Sequence, residues 1–372
     1  MKIAFTDIDN LKNPYWGGGQ ALATREIGKR LIKMGHSVIV YCSRYPGCQD
    51  YQEEGIIYKY IGVGTNYPKL NNLLYLLTLP FTVKNIKTDV IIEHFTAPIS
   101  TCFTPLFTKI PVIGLSSFFA ASNLQKKYKL NFSFIEKFGA KFYKYFIAMN
   151  KNYELKMKKL NPFIKSIVIP NGIDQRYFKL KTGEKNYILY IGRIDVYNKG
   201  LDLLIRAFAQ AAKTIKDDLY IAGSGNKNDV NELKMLIDKY HLNKRIKLLG
   251  KVVGIKKDIF FSNTKFSIFP TRFESQGMSA LESMAFSKPV ICFDLPELKW
   301  IKNDVAIKIK PFSIEDLAKE IIVLSADKEK RRVLGGRARR EALKYNWEKT
   351  ARQYDEFLRG VFCEEARITE SH

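Results

Sequence analysis

Glu274 and Glu282 bracket the stretch Phe273-Glu-Ser-Gln-Gly-Met-Ser-Ala-Leu-Glu-Ser-Met-Ala285, with Gly277 between them. The apolar run 266–270 before it reads as a buried parallel strand, and helix formers occupy 278–286. One carboxylate therefore stands at the carboxyl end of a strand and the other in the first turns of the next helix. Gly277 allows a ligand close to the backbone, and the leading N–H groups of Met278 and Ser279 make an anion site. Two hydroxyl-binding acids beside a phosphate suit a nucleotide-sugar. The alternative is an acidic loop with an ordinary helix start.

Further groups stand at other strand ends. Gly192-Arg193 and Lys199-Gly200 follow an expected strand at 187–191, where parallel α/β sheets bind ligands. Arg193 can fork two phosphate oxygens, and Lys199 adds a flexible point charge. Gly17-Gly18-Gly19 precedes a helix and can cradle a phosphate or form a plain turn; it is not G-x-G-x-x-G. Gly223-Ser-Gly225 occupies a similar place near the nucleotide. His94 follows the strand 90–93 and heads a loop, as a catalytic group or a structural one. No Asp-x-Asp is available to hold a divalent ion beside a diphosphate. Neutralisation is expected from Arg193, Lys199 and helix N-termini, with no metal and no cofactor.

The elements that position these groups alternate strand and helix, twice. Strands are expected at 2–6, 37–42, 90–93, 111–115 and 166–170, with a helix at 20–34 after the glycines. The pattern restarts with strands at 187–191, 219–222, 246–249, 266–269 and 289–293, and helices at 200–214, 231–239, 255–262 and 313–325. Short continuous apolar runs between helices indicate parallel sheets covered on both faces. At 372 residues the chain suits two domains. The expected fold is α/β, two doubly wound Rossmann-like domains facing across a cleft. The division is 1–175 for the first domain, a polar hinge at 171–185, and 186–345 for the second. A helix at 346–362 crosses back to the first domain, and 363–372 is expected as a disordered tail.

The formal charge of +24 calls for a polyanionic neighbour or a very soluble surface. Residues 126–165 carry eleven lysines against Glu136 and Glu154, interleaved with aromatics at helical spacing. That segment is expected to dock on an anionic membrane surface, with a merely solvated lysine face as the alternative and nucleic acid not expected. The stretch 73–83 is apolar but too short to span a bilayer, and Pro80 interrupts it. Met1 opens directly into a strand, so a secretory signal is not expected. Five scattered cysteines without metal spacing fit reduced thiols. Together these suggest a cytoplasmic protein, peripheral on the inner face of the cell membrane.

Several motifs resemble those of retaining glycosyltransferases of the GT-B fold, family 4: Gly-Gly-Gly-Gln (17–20), Ile-Pro-Asn-Gly-Ile-Asp (169–174), Gly-Arg-Ile-Asp with Lys-Gly (192–195, 199–200), Ala-Gly-Ser-Gly (222–225), Pro-Thr-Arg-Phe-Glu (270–274), and Glu-Ser-Met-Ala with Lys-Pro-Val-Ile (282–285, 288–291). The resemblance implies that Arg193 and Lys199 hold the donor diphosphate. It places Glu282 on the ribose hydroxyls and Glu274 on those of the transferred sugar. It puts Gly18 and Gly19 near diphosphate or acceptor, and gives His94 a place near the reaction. Three positions depart from the pattern: Ser117 where relatives often carry histidine, Ser287 for a usual glycine, and Ser275-Gln-Gly after Glu274. The implied chemistry is transfer of a hexose-type sugar from a UDP- or GDP-sugar to a glycan or lipid-linked acceptor of the cell envelope. A nucleotide-sugar epimerase of the same architecture, or a non-catalytic binder, are the alternatives.

Overall fold

The computed structural model describes residues 1–372 except 16, 17, 117, 118, 120, 122–124, 126–128, 371 and 372, and the backbone alone at 368–370. Gly17, Ser117, Lys126 and Lys127 lie outside the described residues. The chain forms two compact units, Met1–Gly172 with Trp347–His372, and Ile173–Asn346.

In the first unit the elements run β1 (Lys2–Thr6), α1 (Gly19–Lys33), β2 (Ser37–Ser43), β3 (Tyr51–Glu53), β4 (Ile56–Ile61), α2 (Pro68–Asn85), β5 (Val90–His94), β6 (Val112–Ser116), α3 (Phe132–Gly139), β7 (Tyr145–Ala148), α4 (Lys151–Leu160) and β8 (Lys165–Val168). The sheet order is β3-β4-β2-β1-β5-β6-β7-β8, parallel except for the edge strand β3. Strand β1 pairs β2 on one side and β5 on the other, Ile3 facing Val38 and Val90. The order reverses at β1, so the loops after β1 and β5 flank the switch point. Buried runs such as Val90-Ile-Ile explain this: apolar on both faces, they suit only a covered parallel strand.

The second unit runs β9 (Tyr187–Ile191), α5 (Leu201–Ala211), β10 (Asp218–Ala222), α6 (Lys227–Lys239), β11 (Ile246–Gly250), α7 (Gly254–Asn263), β12 (Ser267–Phe269), α8 (Met278–Ala285), β13 (Val290–Phe293), β14 (Ile307–Ile309), α9 (Ile314–Ala326) and α10 (Lys328–Ala342). Its sheet is wholly parallel, β11-β10-β9-β12-β13-β14. The core holds Phe208, Phe261, Phe266 and Phe286, with Phe261 stacked on Phe286. Here the switch point falls between β9 and β12, directly beneath the 192–200 and 270–277 loops.

Helix α11 (Trp347–Glu370) belongs to the first unit. It packs on α1, burying Tyr354 and Leu358, and Asp355 meets His36 at 2.7 Å. The tail expected at 363–372 is helical through Glu370. Glu364 and Glu365 hold it down, bonding Lys165 and Lys144 at 2.7 Å each. Such pairs lie between residues about 200 positions apart, so no local pattern signals them.

The segment 126–165 is not one basic helix. Its aromatics Tyr143, Tyr145 and Phe146 are core residues around β7, and its lysines are dispersed over α3, α4 and β8. Lys144, Lys151, Lys156, Lys158 and Lys165 are in ion pairs with Glu365, Glu154, Glu136, Glu154 and Glu364. Helix α2 continues through Pro80, which merely contributes no N–H, so the expected interruption is absent.

Asp7, one residue past β1, ties three elements together. Thr24 of α1 donates to its Oδ2 at 2.6 Å, Gln20 to its Oδ1 at 2.6 Å, and His94 Nε2 at the end of β5 lies 3.2 Å from Oδ2. Burial raises the Asp7 pKa, but the His94 charge and the hydrogen bonds outweigh it and the net shift is downward from 3.8. The contribution of this carboxylate is fully present above that pH and is lost as pH falls through the folded value. The urea-unfolding gap between wild type and Asp7→Asn should therefore be constant at neutral pH and shrink below about pH 4; a gap independent of pH down to acid unfolding would contradict this.

Candidate functional site

The 192–200 and 270–277 loops of the second unit are sewn together at the end of the sheet. Arg272 N donates to Asn198 O at 2.9 Å and Thr271 Oγ1 to the same oxygen at 3.1 Å. The Arg272 guanidinium forks both oxygens of Asp202, at 2.6 and 2.7 Å, and gives a further bond to Tyr197 O. Asp202 sits in the first turn of α5, where a carboxylate also suits the helix dipole. Gly200 caps that helix in the left-handed region, φ 64°, and a Cβ there would fall 1.9 Å from Pro270 O. Only glycine permits the approach.

That approach sets the charged groups. Lys199 Nζ lies 2.6 Å from Glu274 Oε2, both half-buried. Arg193 is exposed, and among the described residues no carboxylate is recorded in an ion pair with it. Tyr190, buried below the loop, donates to Arg193 O at 2.8 Å. Its hydroxyl pKa is driven up by burial, then by Glu274 and Asp195, with Arg193 acting oppositely. Those three charges thus all act on the Tyr190 hydroxyl. Gly223 lies against the Gly192 carbonyl with no room for a side chain.

Gly277, φ 77°, turns the chain into α8, and Trp300 Nε1 holds the preceding Gln276 carbonyl at 2.9 Å. The amides of Met278 and Ser279 lead the helix, and by position have no intrahelical acceptor. Glu282 follows in the next turn, its side chain 7% exposed, paired with Lys257 Nζ of α7 at 2.6 Å. Burial opposes the Lys257 charge, but Glu282 outweighs it and the pKa rises. So each of the two acids has its own lysine. The sequence named Lys199 and missed Lys257, which lies inside α7, a different helix from that of Glu282.

One expectation for the first unit is corrected. His94 does not head an open loop; it is the last residue of β5, 2% exposed, against Asp7 and Thr24. The run Val90-Ile-Ile continues through it because its imidazole is balanced by a buried carboxylate. Gly18 caps α1 and its amide donates to Asp9 Oδ2 at 3.0 Å, with Gly19 the first residue of the helix. Among the described residues no group of three His, Cys, Asp or Glu side chains is arranged to hold a metal ion, and no helix is long and apolar enough to cross a membrane.

Comparison with known proteins agrees with this arrangement. The family model for glycosyl transferases group 1 matches residues 173–341, and that for glycosyltransferase family 4 matches 17–177. An uncharacterized glycosyltransferase of Methanocaldococcus jannaschii is 26% identical, aligning 89% of this chain with 92% of its own. Among solved structures, sucrose-phosphate synthase from Thermosynechococcus elongatus superposes with a TM-score of 0.79 at 17% identity, covering 98% of this chain and 99% of that one. The Anabaena protein HepE, solved in complex with UDP-glucose, gives 0.73 at 18% identity, with 97% and 100% covered. Two parallel-sheet units, both family models and these likenesses identify the chain as a glycosyltransferase of the GT-B fold, belonging to family 4, the glycosyl transferases group 1.

Proposed function

We propose that this enzyme transfers a hexose-type sugar, with retention of anomeric configuration and without a metal, from a UDP- or GDP-sugar to a glycan or lipid-linked acceptor of the cell envelope. The observation that carries the reading is the state of Lys199, Lys257 and Arg193 in the second unit. Lys199 and Lys257 are each matched to an acid, whereas Arg193, beside the Glu274–Lys199 pair at a sheet switch point, is exposed and has no carboxylate partner among the described residues. A diphosphate supplies the missing negative charge. Arg193 and the leading amides of α8 meet the phosphates, Glu282 accepts from ribose hydroxyls, and Glu274, oriented by Lys199, accepts from the sugar. The UDP-glucose complex of HepE supports the donor class.

In this reading the leaving diphosphate, stabilised by the cations, takes the acceptor's proton as the anomeric bond breaks on the same face. Positioned donors of this kind contribute several kcal/mol each in a water-poor site. The basic character of the first unit favours an acceptor carried at a membrane surface and a protein peripheral to it. An epimerase or a donor-binding protein without turnover would share the fold, and product analysis separates them.

Three results are expected. A thermal-shift panel of UDP- and GDP-sugars singles out a donor, and its turnover gives the retained anomer by NMR, equal in EDTA and in magnesium; an inverted product or a magnesium requirement contradicts the reading. Arg193→Ala lowers turnover by about two to three orders of magnitude with the melting point little changed, and near-normal turnover would remove its role. Lys257→Met leaves Glu282 without its partner, so KM for the donor rises about tenfold while kcat is largely kept; an unchanged KM would show that Glu282 needs no such support.

A further inference from the structure

We infer that α2 is an interfacial anchor that seats the first unit on an anionic lipid bilayer. Helix α2 is apolar on both sides. One face buries Tyr75, Leu79 and Val83 against the sheet. The opposite face presents Leu70, Leu73, Leu77 and Phe81, spaced three and four apart, exposed by 40, 52, 59 and 72%. Four large apolar side chains in one exposed stripe are more than a scatter of surface leucines, and a stripe of that kind calls for a covering partner.

The charge around it selects the partner. No Asp or Glu occurs between Gly55 and Thr88, and Lys69, Lys84 and Lys87 are exposed at or just past the helix ends. The patch continues through contact of α2 with the turn Thr104–Leu106, where Leu106 and Phe107 are exposed beside Lys109. Phe103, next to that turn, packs on Phe138 of α3, whose exposed surface offers Phe134 and Lys137, with Lys141 exposed just past its end. The single acid from His94 to Lys151 is Glu136, which is buried beneath α3 and bonded by Thr96. An apolar stripe with lysines at both ends and no acid on its own helix fits headgroups of net negative charge above and acyl chains below. A second copy of this chain would bring the same lysines against themselves, so self-association is disfavoured by the same charges.

This inference deepens the reading of a membrane-borne acceptor and rests on it, but its site lies on α2 rather than on the dispersed lysines of 126–165. The test is vesicle flotation of the full chain with neither donor nor acceptor, so failure here leaves donor turnover on a water-soluble acceptor as a separate question. With phosphatidylcholine vesicles containing about one third phosphatidylglycerol, the wild type floats, and it does not float with phosphatidylcholine alone. Leu77→Glu with Phe81→Glu lowers the bound fraction about tenfold or more at both low and high salt, since it removes apolar insertion. Lys84→Gln with Lys137→Gln and Lys141→Gln lowers it at low salt only. Wild-type flotation unaffected by the two α2 glutamates overturns the anchor, as does a dimer by light scattering that these glutamates convert to monomer with flotation unchanged. Retained melting temperature in both variants, expected because all five positions are exposed, keeps the comparison valid.

Discussion

The second unit of this enzyme depends on how closely two backbone segments pass. Where β9 and β12 lie side by side, the Pro270 carbonyl occupies the space a β-carbon on Gly200 would need. That approach brings Lys199 and Glu274, seventy-five residues apart in sequence, to 2.6 Å. Bonds from Arg272 and Thr271 to Asn198, and the Arg272–Asp202 fork, hold the two loops in that relation from the outer side. The parallel sheet sets the site's location, since only at a switch point do two adjacent loops leave in opposite directions and open a crevice at the strand ends.

Charge is distributed there with little surplus. Buried or half-buried acids at a ligand site are costly unless matched, and both Glu274 and Glu282 are matched by lysines from other segments. An acid held by a lysine keeps its orientation and remains an acceptor for a hydroxyl on its second oxygen. Arg193 beside them is exposed and, in the function proposed above, meets the donor's phosphates. In the first unit the same economy appears in Asp7, His94 and Thr24, which join β1, β5 and α1 around one buried carboxylate.

Much of this was legible from residue order. Continuous apolar runs such as Tyr187-Ile-Leu-Tyr-Ile leave few alternatives to a buried parallel strand, and Gly200 and Gly277 mark the turns that need a left-handed residue. The acids and cations after strand ends followed from the fold's own logic. What escaped was long-range. Lys257 faces Glu282 through tertiary packing, which no spacing within α7 announces. The 126–165 lysines suggested one basic face, yet Tyr143, Tyr145 and Phe146 between them fill the core around β7, and the partners of Lys144 and Lys165, Glu364 and Glu365, come from the far end of the chain. The hairpin of β3 and β4 and the short β14 were also missed, being brief strands whose pairing is set by neighbours. His94 was read as a loop residue because a polar residue after an apolar run usually ends a strand; the buried Asp7 removes that penalty.

The central claim is that the crossing of Gly200 and Pro270 builds the nucleotide site. Its most direct test is calorimetric titration of UDP and GDP into Gly200→Ala, with Gly336→Ala, whose added methyl meets open space, as the control. The account predicts at least about a tenfold loss of affinity in Gly200→Ala and none in the control, both remaining folded by circular dichroism. Wild-type affinity in a folded Gly200→Ala would contradict it.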